Sequence, residues 1–247
     1  MFDLNSFTTG EPGYEIIAVV AFAAGLIRGF TGFGGPAFFL AILTIFFSPV
    51  SIVSKIQVVD FLGGVYLFWS CYRQINWRNT AIIVIPTLLF LPVGHWLLLE
   101  LDPDVSKRAI AAIILIACVL MLIGYRYKQP MTPAILAAVG VVAGIVFGGT
   151  YIALVAVVPI LLGPYNKDEG RTLILSWAFF TMLGFAALYA VSGTTTTADV
   201  VTALPGAASY LVGTWLGSLG FRQSSEKTFR RAAIATLLVL SLFNLLN

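Results

Sequence analysis

Three ionisable side chains sit where an apolar chain tolerates them least. Arg28 lies in "GLIRGFTGFGG" (25–35), Asp60 in "KIQVVDFLGG" (55–64), and His95, the single histidine, in "VGHW" (93–96). An arginine's planar fork suits an oxyanion bidentately. An acid inside a membrane segment is by default a functional group, and Asp60 is the candidate proton-coupling residue. An unperturbed imidazole titrates near neutrality, so His95 is a candidate relay. The glycines around Arg28 let backbone approach a ligand closely. A helix that starts after Gly35 would aim its unpaired N–H groups and the positive end of its dipole at an anion. Thr31 adds a hydroxyl beside Gly32, Gly34 and Gly35. A shorter echo, "AGIVFGGT" (143–150), supplies Gly148, Gly149 and Thr150. Gln57 lies about one turn before Asp60 on a similar face, where it could donate to the same anion. Ser176, the approximate counterpart of Asp60 in the echo, cannot titrate and is a candidate donor to the substrate.

Each candidate has a plainer reading. The glycines could serve close helix packing. Arg28 could snorkel to the surface or pair structurally with Asp60. His95 could be a hydrogen-bonded packing residue. Lys55 and Arg171 occupy matching helix starts, as interfacial anchors or as charged vestibules on opposite sides. The tryptophans, mostly near segment ends, read as an aromatic belt.

Composition says what must hold these residues. The 247-residue chain is 59% hydrophobic and 10% charged, with a mean hydropathy of +0.96. Soluble domains carry about 25% charged residues, so the chain is expected to be an all-α polytopic membrane protein. The absence of a basic patch argues against nucleic acid as a partner. Cys71 and Cys118 lie inside apolar runs and form no metal-ligand pattern, so no metal or cofactor is expected. The first 15 residues carry three acids and no base, unlike a cleaved signal peptide. The first apolar segment is therefore expected to remain.

Apolar runs fall at about 14–30, 36–47, 51–72, 79–100, 106–124, 133–147, 150–162, 168–192, 199–220 and 228–246. A spanning helix needs about 20 residues. Segments 36–47 and 150–162 are too short and each follows a glycine break, which predicts broken or re-entrant helices. The pattern repeats. Ala24-Gly25 recurs as Ala143-Gly144, and Val93-Gly94-His95-Trp96 as Val212-Gly213-Thr214-Trp215, with equal spacing between the paired glycines. This predicts two five-segment repeats, 1–124 and 134–247, joined by a cytoplasmic linker at 125–133. Each opens with a broken or re-entrant pair, giving eight full spans plus short segments or ten segments. An odd segment number inverts the second repeat. Alternation then places Arg73, Arg78, Arg126, Lys128, Lys167, Arg171, Arg222, Lys227, Arg230 and Arg231 on one face. Lys55, Lys107 and Arg108 fall on the other. The basic face is expected to be cytoplasmic, which leaves both termini periplasmic.

The "AGLIRGFTGFGG" break, its echo and the "VGHW"/"VGTW" pair resemble the TauE/SafE family, also called the toluene-sulfonate uptake permease family, over nearly the whole chain. The resemblance implies a bacterial inner-membrane carrier of sulfite, sulfoacetate or related organosulfonates, with export the commoner direction in the family. No Walker motif is present, so the expected process is a secondary carrier, powered by protons or membrane potential, working by alternating access. An anion channel with the breaks as its constriction is the alternative. An intramembrane enzyme lacks a nucleophile–base pair. An inverted repeat completes a site within one chain, so a monomer suffices and a homodimer stays open.

Overall fold

The computed structural model describes residues 13–43, 49–100, 131–225 except 152, 194 and 196, and 227–229, 231, 232 and 235. The expected segment 106–124, most of the linker and most of segment 228–246 lie outside them, as do the basic residues Lys107 and Arg108. Among the described residues every regular element is helical: α1 (Gly13–Thr31), α2 (Gly35–Leu43), α3 (Pro49–Cys71), α4 (Trp77–Glu100), α5 (Pro133–Thr150), α6 (Leu154–Leu162), α7 (Lys167–Val191) and α8 (Thr197–Gln223). A 3₁₀ turn at Tyr72–Gln74 links α3 to α4.

Length sorts these helices into two kinds. At about 1.5 Å per residue, α3, α4, α7 and α8 exceed the ~30 Å hydrocarbon core. The nine-residue α2 and α6 reach about half of it. Four described stretches are long and apolar enough to cross a membrane: Trp77–Leu97, Pro133–Thr150, Lys167–Val191 and Asp199–Gln223. Ile16–Thr31 is a shorter apolar helix.

Local chemistry sets the helix starts. Thr132 accepts from the Ile135 amide ahead of Pro133, which lacks the N–H that a first turn leaves unpaired. Asn166 accepts from the Asp168 and Glu169 amides at 3.0 and 2.8 Å, and Glu169 reaches back to the Asn166 amide, a complete capping box.

Small residues let backbones touch. A Cβ added at Gly25 would lie 3.0 Å from the Thr214 nitrogen, and one at Gly217 would lie 2.8 Å from the Phe30 nitrogen. α1 therefore packs along α8 through glycines from both helices. On the other side, Gly140, Gly144 and Gly148 lie against Ile83, Thr87 and Leu91 in turn, and Gly94 against Ile145, which joins α4 to α5. Contact order gives direction. α8 runs parallel to α1, because Gly25 meets Tyr210 and Gly29 meets Ser218. It also runs parallel to α3, where Gly63 meets Tyr210 and Tyr66 meets Ser218. α4, α5 and α7 are mutually parallel: Thr80 meets Ser176 and His95 meets Tyr189. α3 and α7 are antiparallel, since Gly64 meets Met182 whereas Leu67, Cys71 and Ile75 cluster with Leu175.

The second break is not where the glycines place it. α5 continues through Gly148 and Gly149 to Thr150, and the chain breaks at residues 151–153. Gly148 is the third of three glycines that seat α5 on α4, so its missing side chain is used for packing. The turn is made by Tyr151 at φ 58°, a left-handed conformation that costs an L-residue roughly 1–2 kcal/mol. Its ring is held between Phe147 and Phe185, each with centroids 4.8 Å away.

A charged cavity between two helix breaks

The first break is closed by its own polar groups. α1 ends where the Gly32 amide donates to the Arg28 carbonyl at 2.8 Å. Arg28 Nη1 returns a bond to the Gly32 carbonyl at 2.5 Å. A cation placed on the last carbonyls of a helix also meets the negative end of its dipole. Thr31 Oγ1 bonds the Ile27 and Phe33 carbonyls at 2.7 and 2.5 Å, so this hydroxyl shapes the turn. Gly32 and Gly34 adopt φ 86° and 81°, which strain any other residue. The chain then folds back. A Cβ on Gly35 would fall 2.6 Å from Arg28 Cβ and 2.8 Å from the Tyr210 hydroxyl.

Asp60, in the middle of α3, faces this turn. Its Oδ1 lies 3.2 Å from Arg28 Nε, a charge contact without hydrogen-bond alignment. Tyr210 from α8 donates to Oδ1 at 2.5 Å. Tyr151, from the second break, donates to Oδ2 at 3.5 Å. All four side chains are buried. An unpaired charge at this depth costs several kcal/mol, and here the two charges neutralise each other.

Arg28 and Asp60 line one cavity with Gly34, Pro36 and Ala37 at the start of α2, and with Tyr151, Ala153 and Leu154 at the start of α6. Phe147 and Ala178 complete the lining, and the space between these side chains is small, ≈ 20 Å³. Both short helices therefore begin at its wall. Pro36 has no N–H, and the Phe38 and Ala156 amides bond the Gly34 and Ala153 carbonyls at 2.8 and 3.1 Å, so the donors left at the two starts are the amides of Gly35, Ala37, Leu154 and Val155. No side chain caps α6.

The remaining candidates lie elsewhere. Gln57 Nε2 bonds the Thr195 hydroxyl, one turn from Asp60, and its Oε1 is buried without a partner. Ser176 bonds Thr80 at 2.9 Å in the α4–α7 contact. Thr150 bonds back to the Val146 carbonyl at 2.8 Å. His95 packs its ring 4.7 Å from that of Tyr189, with Nδ1 unpartnered. Tyr189 in turn bonds the Gly148 carbonyl at 3.4 Å. Gly148 is a packing glycine, and Gly149 lies beside it, buried within the last turn of α5.

Tyr151 and Tyr210 are the cavity residues that sequence reasoning missed. A tyrosine inside an apolar segment carries a hydroxyl that needs a partner. Tyr151 directly follows "GGT" and Tyr210 lies four residues before Thr214, so their positions were a usable signal.

Four helices long and apolar enough to cross a membrane, around a buried charged cavity, are the architecture of a multi-pass membrane protein. The chain belongs to the sulfite exporter TauE/SafE family, whose model matches residues 17–244. Neither the curated proteins nor the solved structures give a match.

Proposed function

We propose that the chain is a secondary carrier for a small sulfur-containing oxyanion, sulfite or an organosulfonate, and that the cavity between the two breaks is its site. One observation carries this reading: two half-length helices start at the same buried cavity beside the Arg28–Asp60 pair. Helix N-termini and an arginine attract an oxyanion from all sides of such a pocket. Asp60 holds the Arg28 guanidinium at 3.2 Å. An entering anion competes with Asp60 for the guanidinium, and a proton on Asp60 removes that competitor. Anion binding and protonation therefore favour each other, and linkage makes the effect reciprocal. Tyr151 and Tyr210 can turn their hydroxyls from Asp60 to the anion when the carboxylate is discharged.

The helix directions support an inverted duplication. α1 and α5, α3 and α7, and α4 and α8 are matched in the sequence, and the members of each pair run oppositely. The matched glycines do matched work: Gly25 and Gly213 in one helix pair, Gly144 and Gly94 in the other. Rocking one repeat bundle against the other would open the cavity to alternate sides. The basic residues around the ends of α3, α7 and α8 favour a cytoplasmic location for that end, in a bacterial inner membrane.

Counterflow in proteoliposomes preloaded in turn with sulfite, sulfoacetate, taurine or sulfate tests this reading. Saturable exchange of one of these anions is the expected result. Conduction without exchange, seen by electrical recording, would replace the carrier by a channel.

A further inference from the structure

We propose that Arg171 is a second anion-binding residue, a capture station one step outside the cavity, and that it makes the carrier's affinity unequal on its two sides. This rests on the carrier reading above. Arg171 lies one turn into α7 and is buried at 7% exposure. Among the described residues it forms no ion pair with a carboxylate. Asp168, the nearest acid on its own helix, is exposed at the helix start. Arg171 Nη2 donates to the Gly29 carbonyl at 2.6 Å, while Nε is buried without an acceptor. The guanidinium lies 4.0 Å from the centroid of the Phe221 ring. Nε and Nη2 form the edge with which arginine grips an oxyanion side-on. Among the described residues one half of that edge meets no acceptor and the other meets a single carbonyl.

The position suits a transfer. Gly32 touches both arginines: its carbonyl takes Arg28 Nη1, and a Cβ there would lie 3.2 Å from Arg171 Cγ. An anion leaving Arg171 therefore passes over one glycine to reach Arg28. Lys167, also over Phe221, and Arg222 add positive charge at this end, beside the exposed acids Asp168 and Glu169. At the other end of the molecule the matching helix start carries Lys55, which pairs with Asp199 at 3.9 Å. One entrance thus presents a cation with no carboxylate on it, and the other a neutralised one.

The test is labelled-sulfite exchange in proteoliposomes of a single orientation, with half-saturation measured from each face. The unaltered chain should show tighter half-saturation on the Lys167/Arg222 face. Arg171→Gln, which keeps a polar side chain but loses the charge and the reach to the Gly29 carbonyl, should weaken that face about tenfold or more and leave the other face unchanged. Arg171→Lys should recover part of the loss. Equal half-saturation on both faces of the unaltered chain would overturn the inference. So would an Arg171→Gln variant that lowers turnover from both faces alike, which is the mark of a helix cap alone. If the unaltered chain exchanges none of the four anions named above, the carrier reading fails first and this inference with it.

Discussion

Tyr210 on α8 donates its hydroxyl to Asp60 on α3 at 2.5 Å, and the same carboxylate oxygen lies 3.2 Å from Arg28 on α1. Three helices thus meet at one atom. Removing the phenol leaves that oxygen short of a donor in a buried site. Tyr210→Phe should lower stability in detergent by about 1–3 kcal/mol, the usual cost of an unsatisfied buried acceptor. Thermal unfolding of the purified protein measures it.

Charge pairing predicts a further pattern. Arg28→Met or Asp60→Leu alone leaves one uncompensated buried charge and should cost about 3–5 kcal/mol. The double variant should recover most of that loss and still carry no anion. Unfolding curves and counterflow on the same samples separate the two effects.

Asp60→Asn keeps the shape of the site and a partner for Tyr210, but holds no exchangeable proton. Exchange between equal pools should survive, and accumulation driven by a pH gradient should vanish. Unchanged pH-driven accumulation would remove Asp60 from coupling.

The capping box at Asn166 is the control. Asn166→Ala should cost about 1 kcal/mol of stability and keep the capacity for exchange, since its side chain caps the first turn of α7 and lines no part of the cavity.

The first break was legible in the sequence because it needs glycine twice at positive φ, and Gly32 and Gly34 are the residues that supply it. Arg28 and Asp60 were legible as intramembrane charges, and the structure puts them in contact, which was the plainer alternative for Arg28. The second break was read three residues early. Glycines at helical spacing serve packing as well as turning, and only neighbouring helices distinguish the two: Gly148 faces Leu91. Tyr151 makes the actual turn, and nothing local to its sequence forces a tyrosine into the left-handed region. Thr31, Thr150 and Ser176 looked like donors for a ligand. Each hydroxyl instead bonds a carbonyl one turn or less away on its own helix, which is how short hydroxyl side chains settle in an apolar helix. Gln57 is bound to Thr195 across 138 residues, a contact that no local pattern encodes.

Gly34→Ala strains the turn that aims α2 at the cavity, where Gly34 holds φ 81°, at a cost of roughly 1–2 kcal/mol. The variant should stay folded in detergent and exchange anion far more slowly. A rate like that of the unaltered chain would mean that the direction of α2 does not matter to the site.

The most direct measurement is sulfite binding to the purified protein in detergent, by calorimetry, for the unaltered chain and for Arg28→Gln. The account predicts saturable binding at one cavity, weakened at least about tenfold in the variant, as expected for loss of a charge-assisted hydrogen bond. Equal affinity in the two proteins would contradict it, because the anion would then be held somewhere other than between the two breaks.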